Sequence, residues 1–162
     1  TEKCSASSAS VQWCDLMDQT PEQVLAKSLV AENKLNKLID EVKKNNNLKA
    51  NEIIIGGFSQ GCMITLQTGL KRKDAVNSLI GYSGRIIDTD HLSKNINSRP
   101  QIILMHGDID QVVSIESLLE AKDFFNKNNY EIETQIFKNC EHRIPTEGSS
   151  LGLQFIKKQF NS

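Results

Sequence analysis

The chain has 162 residues, 38% apolar and 24% charged, with a formal net charge of −1. That is the balance of an ordinary globular chain, and the length favours one domain over residues 1–162. A near-neutral charge without an extended Lys/Arg run excludes the concentrated basic face that a nucleic-acid partner requires. No apolar run approaches the roughly 20 residues of a transmembrane segment. Thr1–Ser10 holds no apolar stretch of the signal-peptide kind. The chain starts at Thr1 rather than Met, so a processed or truncated polypeptide is expected. Cys4, Cys14, Cys62 and Cys140 form no C-x-x-C pair. Their spacing suits neither a zinc site nor a disulfide framework, which points to reduced thiols and a cytoplasmic location.

Residues 1–20 read as Ser-rich and irregular, with Trp13 and Leu16 as anchors. Thr20-Pro21-Glu22-Gln23 is a helix start with a capping box. Val24, Ser28, Ala31, Leu35, Leu38 and Val42 then predict one buried helical stripe, with Leu25 and Leu29 beside it, ending near Lys44. Ile53-Ile54-Ile55 predicts a strand buried on both faces. A helix follows over Gln60–Lys71, a strand over Ala75–Tyr82, and a short helix near Asp88–Lys94 in a polar stretch. A third strand is predicted at Gln101–Met105, a helix at Ser114–Lys127, a fourth strand at Tyr130–Phe137, and a last helix from about Ser149 to Phe160. That order is the signature of an α/β fold with a mostly parallel sheet and right-handed crossovers.

Gly57-Phe58-Ser59-Gln60-Gly61 is a G-x-S-x-G motif between a buried strand and a helix. A strained turn in that setting lifts the serine oxygen above the sheet and aims the next N–H, that of Gln60, at a developing oxyanion. A serine hydroxyl needs a base to take its proton. Of the three histidines, His142 lies past the fourth strand, where the chain order Ser, Asp, His places the base. His106 reads as a structural residue closing a strand end, and His91 as a solvated loop residue. Asp108 and Asp110 both follow the third strand, and position alone leaves the acidic partner open between them. Cys62 and Cys140 lie close to the proposed nucleophile and base, which makes oxidation sensitivity an expectation for either.

Ile53-Ile54-Ile55-Gly56-Gly57-Phe58-Ser59-Gln60-Gly61 resembles the signature of the acyl-protein thioesterase family, carboxylesterases and lysophospholipases of the α/β-hydrolase fold. Trp13-Cys14-Asp15-Leu16, Tyr82-Ser83-Gly84, His106-Gly107-Asp108-Ile109-Asp110-Gln111-Val112-Val113 and His142-Arg143-Ile144-Pro145-Thr146-Glu147 resemble further family blocks in the same order. The resemblance implies that the second Asp of the H-G-D-x-D block, Asp110, is the catalytic acid beside Ser59 and His142. It implies hydrolysis of an acyl ester or thioester substrate through an acyl-serine intermediate, without metal or cofactor.

Three departures stand out. Cys62 and Glu141 occupy positions where the family usually has Gly. Nothing in residues 1–50 resembles the family's L-H-G-x-G-D loop, which supplies a second oxyanion N–H. The chain therefore reads as the C-terminal portion of an α/β-hydrolase fold, with the N-terminal strands missing and an N-terminal segment or second polypeptide completing the sheet. The competing expectation is a weak or inactive hydrolase-derived structural subunit of a larger assembly.

Overall fold

The computed structural model describes residues 2–4, 7–13 and 19–161. It opens with an antiparallel pair, β1 (Glu2–Cys4) and β2 (Ser7–Gln12). This corrects the expectation of an irregular start. Neither β1 nor the serine-rich β2 carries an apolar alternation to read, and the register also shifts between Lys3 and Cys4. Leu16 lies outside the described residues.

Helix α1 (Pro21–Asn46) begins at the predicted capping box, with both reciprocal bonds between Thr20 and Gln23 formed. It ends at Asn47, whose φ of 52° is a left-handed conformation that Asn tolerates. The buried line runs through Val24, Ser28, Ala31, Glu32, Leu35 and Ile39. Leu38 and Val42, predicted on that line, are 50% and 37% exposed. Neighbouring helical residues lie about 100° apart, so burying Ile39 turns Leu38 outward. Glu32 is tolerated inside because Gln67 Nε2 and Lys71 Nζ donate to its carboxylate at 2.9 and 2.7 Å.

After a 3-10 turn at Ala50–Glu52 come β3 (Ile54–Phe58), α2 (Gln60–Lys71), β4 (Ser78–Tyr82) and α3 (Thr89–Ser93). Then follow β5 (Gln101–Gly107), α4 (Glu116–Lys127), β6 (Glu133–Phe137) and α5 (Thr146–Phe160). Strands β3 to β6 form one parallel sheet in sequence order.

Strand alternation splits the interior into two cores. Ile55, Leu79, Ile102 and Leu104 face α1, α2, α3 and α4, packing with Leu35, Leu66, Leu70, Leu92, Leu118 and Phe125. Ile80, Ile103 and Met105 face α5 and pack with Phe155 and Phe137. Each fully buried large apolar side chain contributes about 1.5–3 kcal/mol. Burial on both faces holds for the inner strands β4 and β5. Strand β6 is buried only at Phe137, and β3 only at Ile55, which corrects the expectation that the Ile-rich strand is buried on both faces.

Several predicted ends move. Ala75–Asn77 stay outside β4. Residues 130–132 precede β6, because Tyr130 is an anchor rather than a strand residue. Its ring meets Phe125 edge-on at 5.2 Å, and its hydroxyl donates to the Pro100 carbonyl. Helix α4 starts at Glu116 rather than Ser114, and β5 runs two residues past Met105. Helix α5 starts at Thr146 instead of Ser149, since its first buried residue is Gly148, which carries no apolar signal. Among the described residues no helix is long and apolar enough to cross a membrane.

Candidate active site

The carboxyl ends of β3, β5 and β6 converge on one point. At the first, Ser59 takes φ 54° and ψ −121° between β3 and α2. Such a conformation costs a non-glycine residue on the order of 1–3 kcal/mol and persists only where its surroundings enforce it. Here Ser59 N donates to Tyr82 O at 2.8 Å, and Met63 N donates to Ser59 O at 3.2 Å. Gly57 is obligatory, because a Cβ there would lie 2.3 Å from the Gly61 backbone. Gly61 is not crowded in the same way. The nearest neighbour of a Cβ there would be Trp13 Nε1 at 4.0 Å. Gln60 opens α2, and its Oε1 accepts from Trp13 N at 2.6 Å. That bond ties the segment after β2 to the elbow.

Beyond β5 the chain turns through residues 108–113. Asp110 Oδ1 accepts from Val112 N and Val113 N, each at 2.9 Å. This turn is stitched to the loop after β6: Asp108 N donates to Phe137 O, Ile109 N to Cys140 O, and Cys140 N to Asp108 Oδ1 at 3.3 Å. The two segments approach so closely that a Cβ on Gly107 would stand 2.1 Å from Cys140 O.

That stitching delivers His142. Its Nδ1 lies 2.7 Å from Asp110 Oδ2, and its Nε2 lies 2.9 Å from Ser59 Oγ. A carboxylate only accepts, so Nδ1 carries the proton and Nε2 accepts from the serine hydroxyl. The Phe58 ring packs on the imidazole at 4.7 Å. The Asp110 side chain is fully buried and that of His142 is 18% exposed. Burial pushes the Asp110 carboxyl up. The hydrogen bonds from His142, Val113 and Val112 outweigh it, and the net displacement is below the usual carboxylate range.

Of the two candidate acids, therefore, Asp110 meets the imidazole. Asp108 instead holds the loop that carries His142. His91 is not a solvated loop residue: it sits in α3, half-buried, with Nε2 3.3 Å from Lys71 Nζ and its backbone N–H on Asp88. Cys62 and Cys140 are free and only 2% and 3% exposed. Burial pushes the Cys62 thiol up to about 12. Its reactive thiolate is thereby suppressed, which argues against the expected oxidation sensitivity at Cys62. The Cys62 side chain fills room left by Gly81 and Gly84, where a Cβ would lie 2.5 Å from its sulfur. Glu141 is exposed. It lines a groove of about 340 Å³ with Ile109, Gln111, Val112, His142 and Arg143.

The sequence pattern gave no hint of the Asp108–Cys140 bond, the Phe58–His142 contact or the Trp13–Gln60 bond. The first lies within a block singled out for its two aspartates. The last joins positions 47 residues apart, which no local pattern reports.

The phospholipase/carboxylesterase family pattern matches residues 3–160. Acyl-protein thioesterase 1 of Saccharomyces cerevisiae is 31% identical over 160 residues, covering 93% of this chain and 69% of that protein. Acyl-protein thioesterase 1 of Yarrowia lipolytica is 33% identical over 132 residues, covering 79% of this chain and 55% of that protein. The crystal structure of esterase PE8 superposes with a TM-score of 0.90 at 26% identity, over 98% of this chain and 74% of that one. SOBER1 of Arabidopsis thaliana, at 20% identity and a TM-score of 0.81 over 91% of this chain and 73% of that one, shares the fold. With nearly its whole length matched by the family pattern and a four-stranded parallel sheet between helices, this chain belongs to the phospholipase/carboxylesterase family of α/β-hydrolases.

Proposed function

We propose that this chain cleaves carboxylic ester or thioester bonds of acyl substrates through an acyl-serine intermediate. The observation that carries the reading is the unbroken Ser59–His142–Asp110 relay, with contacts of 2.9 and 2.7 Å. His142 Nε2 takes the Ser59 proton as Oγ attacks the acyl carbon. Asp110 holds the Nδ1–H tautomer and stabilises the imidazolium. His142 then returns the proton to the departing alkoxide or thiolate. A water, deprotonated by the same nitrogen, releases the acid. The oxyanion is assigned to the Gln60 backbone N–H, where the N-terminus of α2 adds positive potential. No cofactor enters this sequence. The names of the yeast relatives support an acyl thioester among the substrates.

A fluorophosphonate probe on the native protein, read by intact mass, tests the assignment. Labelling on Ser59 that disappears in Ser59→Ala is expected. A folded protein that stays unlabelled would remove the acyl-serine reading and leave the structural-subunit one.

The competing reading has one observation in its favour. Strand β3 pairs only with β4 among the described residues, so the strand that leads to Ser59 has an open edge. Open edges recruit further strands. We assign that edge to an N-terminal segment or second polypeptide, which also brings the second oxyanion donor. In the chain of residues 1–162, amides of Ile54–Phe58 should exchange hydrogen at least about tenfold faster than those of β4. Equal protection of both strands in a protein of monomer mass would contradict this.

A further inference from the structure

His106 is 2% exposed, on β5, and in register with Ile136. Its Nε2 lies 2.8 Å from Val113 O. A carbonyl only accepts, so that nitrogen carries the proton. The same nitrogen is 3.5 Å from Asp110 Oδ2, the oxygen that receives His142 Nδ1. Val113 is thus gripped at both ends of its backbone. Its N–H is held by Asp110 Oδ1, and its carbonyl by His106. Val112 N adds a second bond to Oδ1. Closed in both directions, the turn fixes which way the carboxylate points.

Packing alone does not call for histidine here. His106 lines a small cavity together with Cys62, Leu66, Arg85, Leu104 and Leu118, a mostly apolar setting in which a methionine or leucine would fill the space without desolvating a polar ring. The ring earns its place through its one donor. We propose that His106 is a positioning residue: its Nε2–H anchors the Val113 carbonyl and so holds the 110–113 turn that presents Asp110 to His142. The proposal rests on the reading of Ser59, His142 and Asp110 as the catalytic groups. His106 does not touch the reacting atoms and acts only through Asp110.

Three variants of the chain test this: His106→Gln, whose amide nitrogen can stand where Nε2 stands, His106→Asn, whose amide is too short to do so, and His106→Met, which fills the volume without a donor. Each is compared with the native residue in thermal unfolding, in steady-state kinetics on a soluble p-nitrophenyl ester, and in the downfield proton spectrum. A displacement near 1 Å costs on the order of a hundredfold in rate. His106→Met and His106→Asn should therefore lower kcat about 10- to 100-fold with KM within about twofold. The acid limb of kcat/KM should move to lower pH, because a displaced carboxylate stabilises the imidazolium less. The deshielded His142–Asp110 proton should broaden or vanish. His106→Gln should restore most of the rate and the resonance.

If His106→Met unfolds, the Gln and Asn pair still decides the matter. Equal loss in Gln and Asn, or full activity and an intact resonance in Met, would overturn the proposal and leave His106 a packing residue. The proton spectrum needs no turnover. A native protein that neither hydrolyses the ester nor takes the fluorophosphonate label would sink the functional reading, while the spectra would still answer for His106.

Discussion

Replacing Ser59 by Ala should lower kcat/KM on an ester by on the order of 10⁴- to 10⁶-fold while leaving the chain folded. The size follows from the relay, because without Oγ there is nothing for His142 Nε2 to activate at 2.9 Å. Replacing Ser59 by Gly should cost as much activity, yet the two variants should part in stability. At φ 54° and ψ −121° an alanine keeps the strain of a Cβ, whereas glycine enters such a region freely. Ser59→Gly should therefore be the more stable of the two by about 1 kcal/mol, or roughly 2–4 °C in Tm for a chain of this size. Ester kinetics and urea unfolding of both variants check this together. Equal midpoints for Gly and Ala would mean that the elbow stores no strain, and that the surrounding hydrogen bonds alone set its shape.

The apolar grammar of the chain was legible. Three consecutive isoleucines, then a G-x-S-x-G, then helical spacing placed β3, the turn and α2 in order, but the expected burial on both faces did not follow: within β3 only Ile55 is buried. The H-G-D-x-D and H-x-I-P blocks, legible through the family resemblance, marked the end of β5 and the approach to α5, where chemistry gathers at the carboxyl ends of parallel strands.

What stayed hidden depends on contacts between distant residues. Position could not separate Asp108 from Asp110, since both sit in one turn. The choice between meeting an imidazole and holding a backbone N–H is made by the loop after β6. His91 looked solvated because only the folded chain brings Lys71 beside it. Leu38 looked buried because the stripe on α1 was extended past the point where Ile39 takes over. The β1–β2 pair had no apolar alternation to announce it.

Asp110 carries the second large expected effect. In Asp110→Asn one oxygen can still accept from Val112 N and Val113 N, as Oδ1 does now. The amide NH₂ must then face His142 Nδ1 where a carboxylate oxygen stood at 2.7 Å. Two donors cannot share that contact, so the imidazole shifts its proton to Nε2 and can no longer take one from Ser59. A loss of about 10⁴ in kcat follows, with the fold intact. Asp108→Asn keeps an oxygen for Cys140 N and should stay within about tenfold of the native rate.

The pH dependence of stability should change as well. The Asp110 carboxyl is held below its usual range by its three donors. Its contribution is therefore complete above the unfolded value near pH 3.9, and is lost as pH falls through the lower folded value. Asp110→Asn removes a proton-binding difference, so its stability curve should be flatter than the native one below about pH 4. Kinetics at neutral pH and urea midpoints across the acid range separate the two roles. If Asp108→Asn showed the 10⁴ loss and the flattened curve instead, the acid would be Asp108 and the observed 110–142 contact would not be the working one.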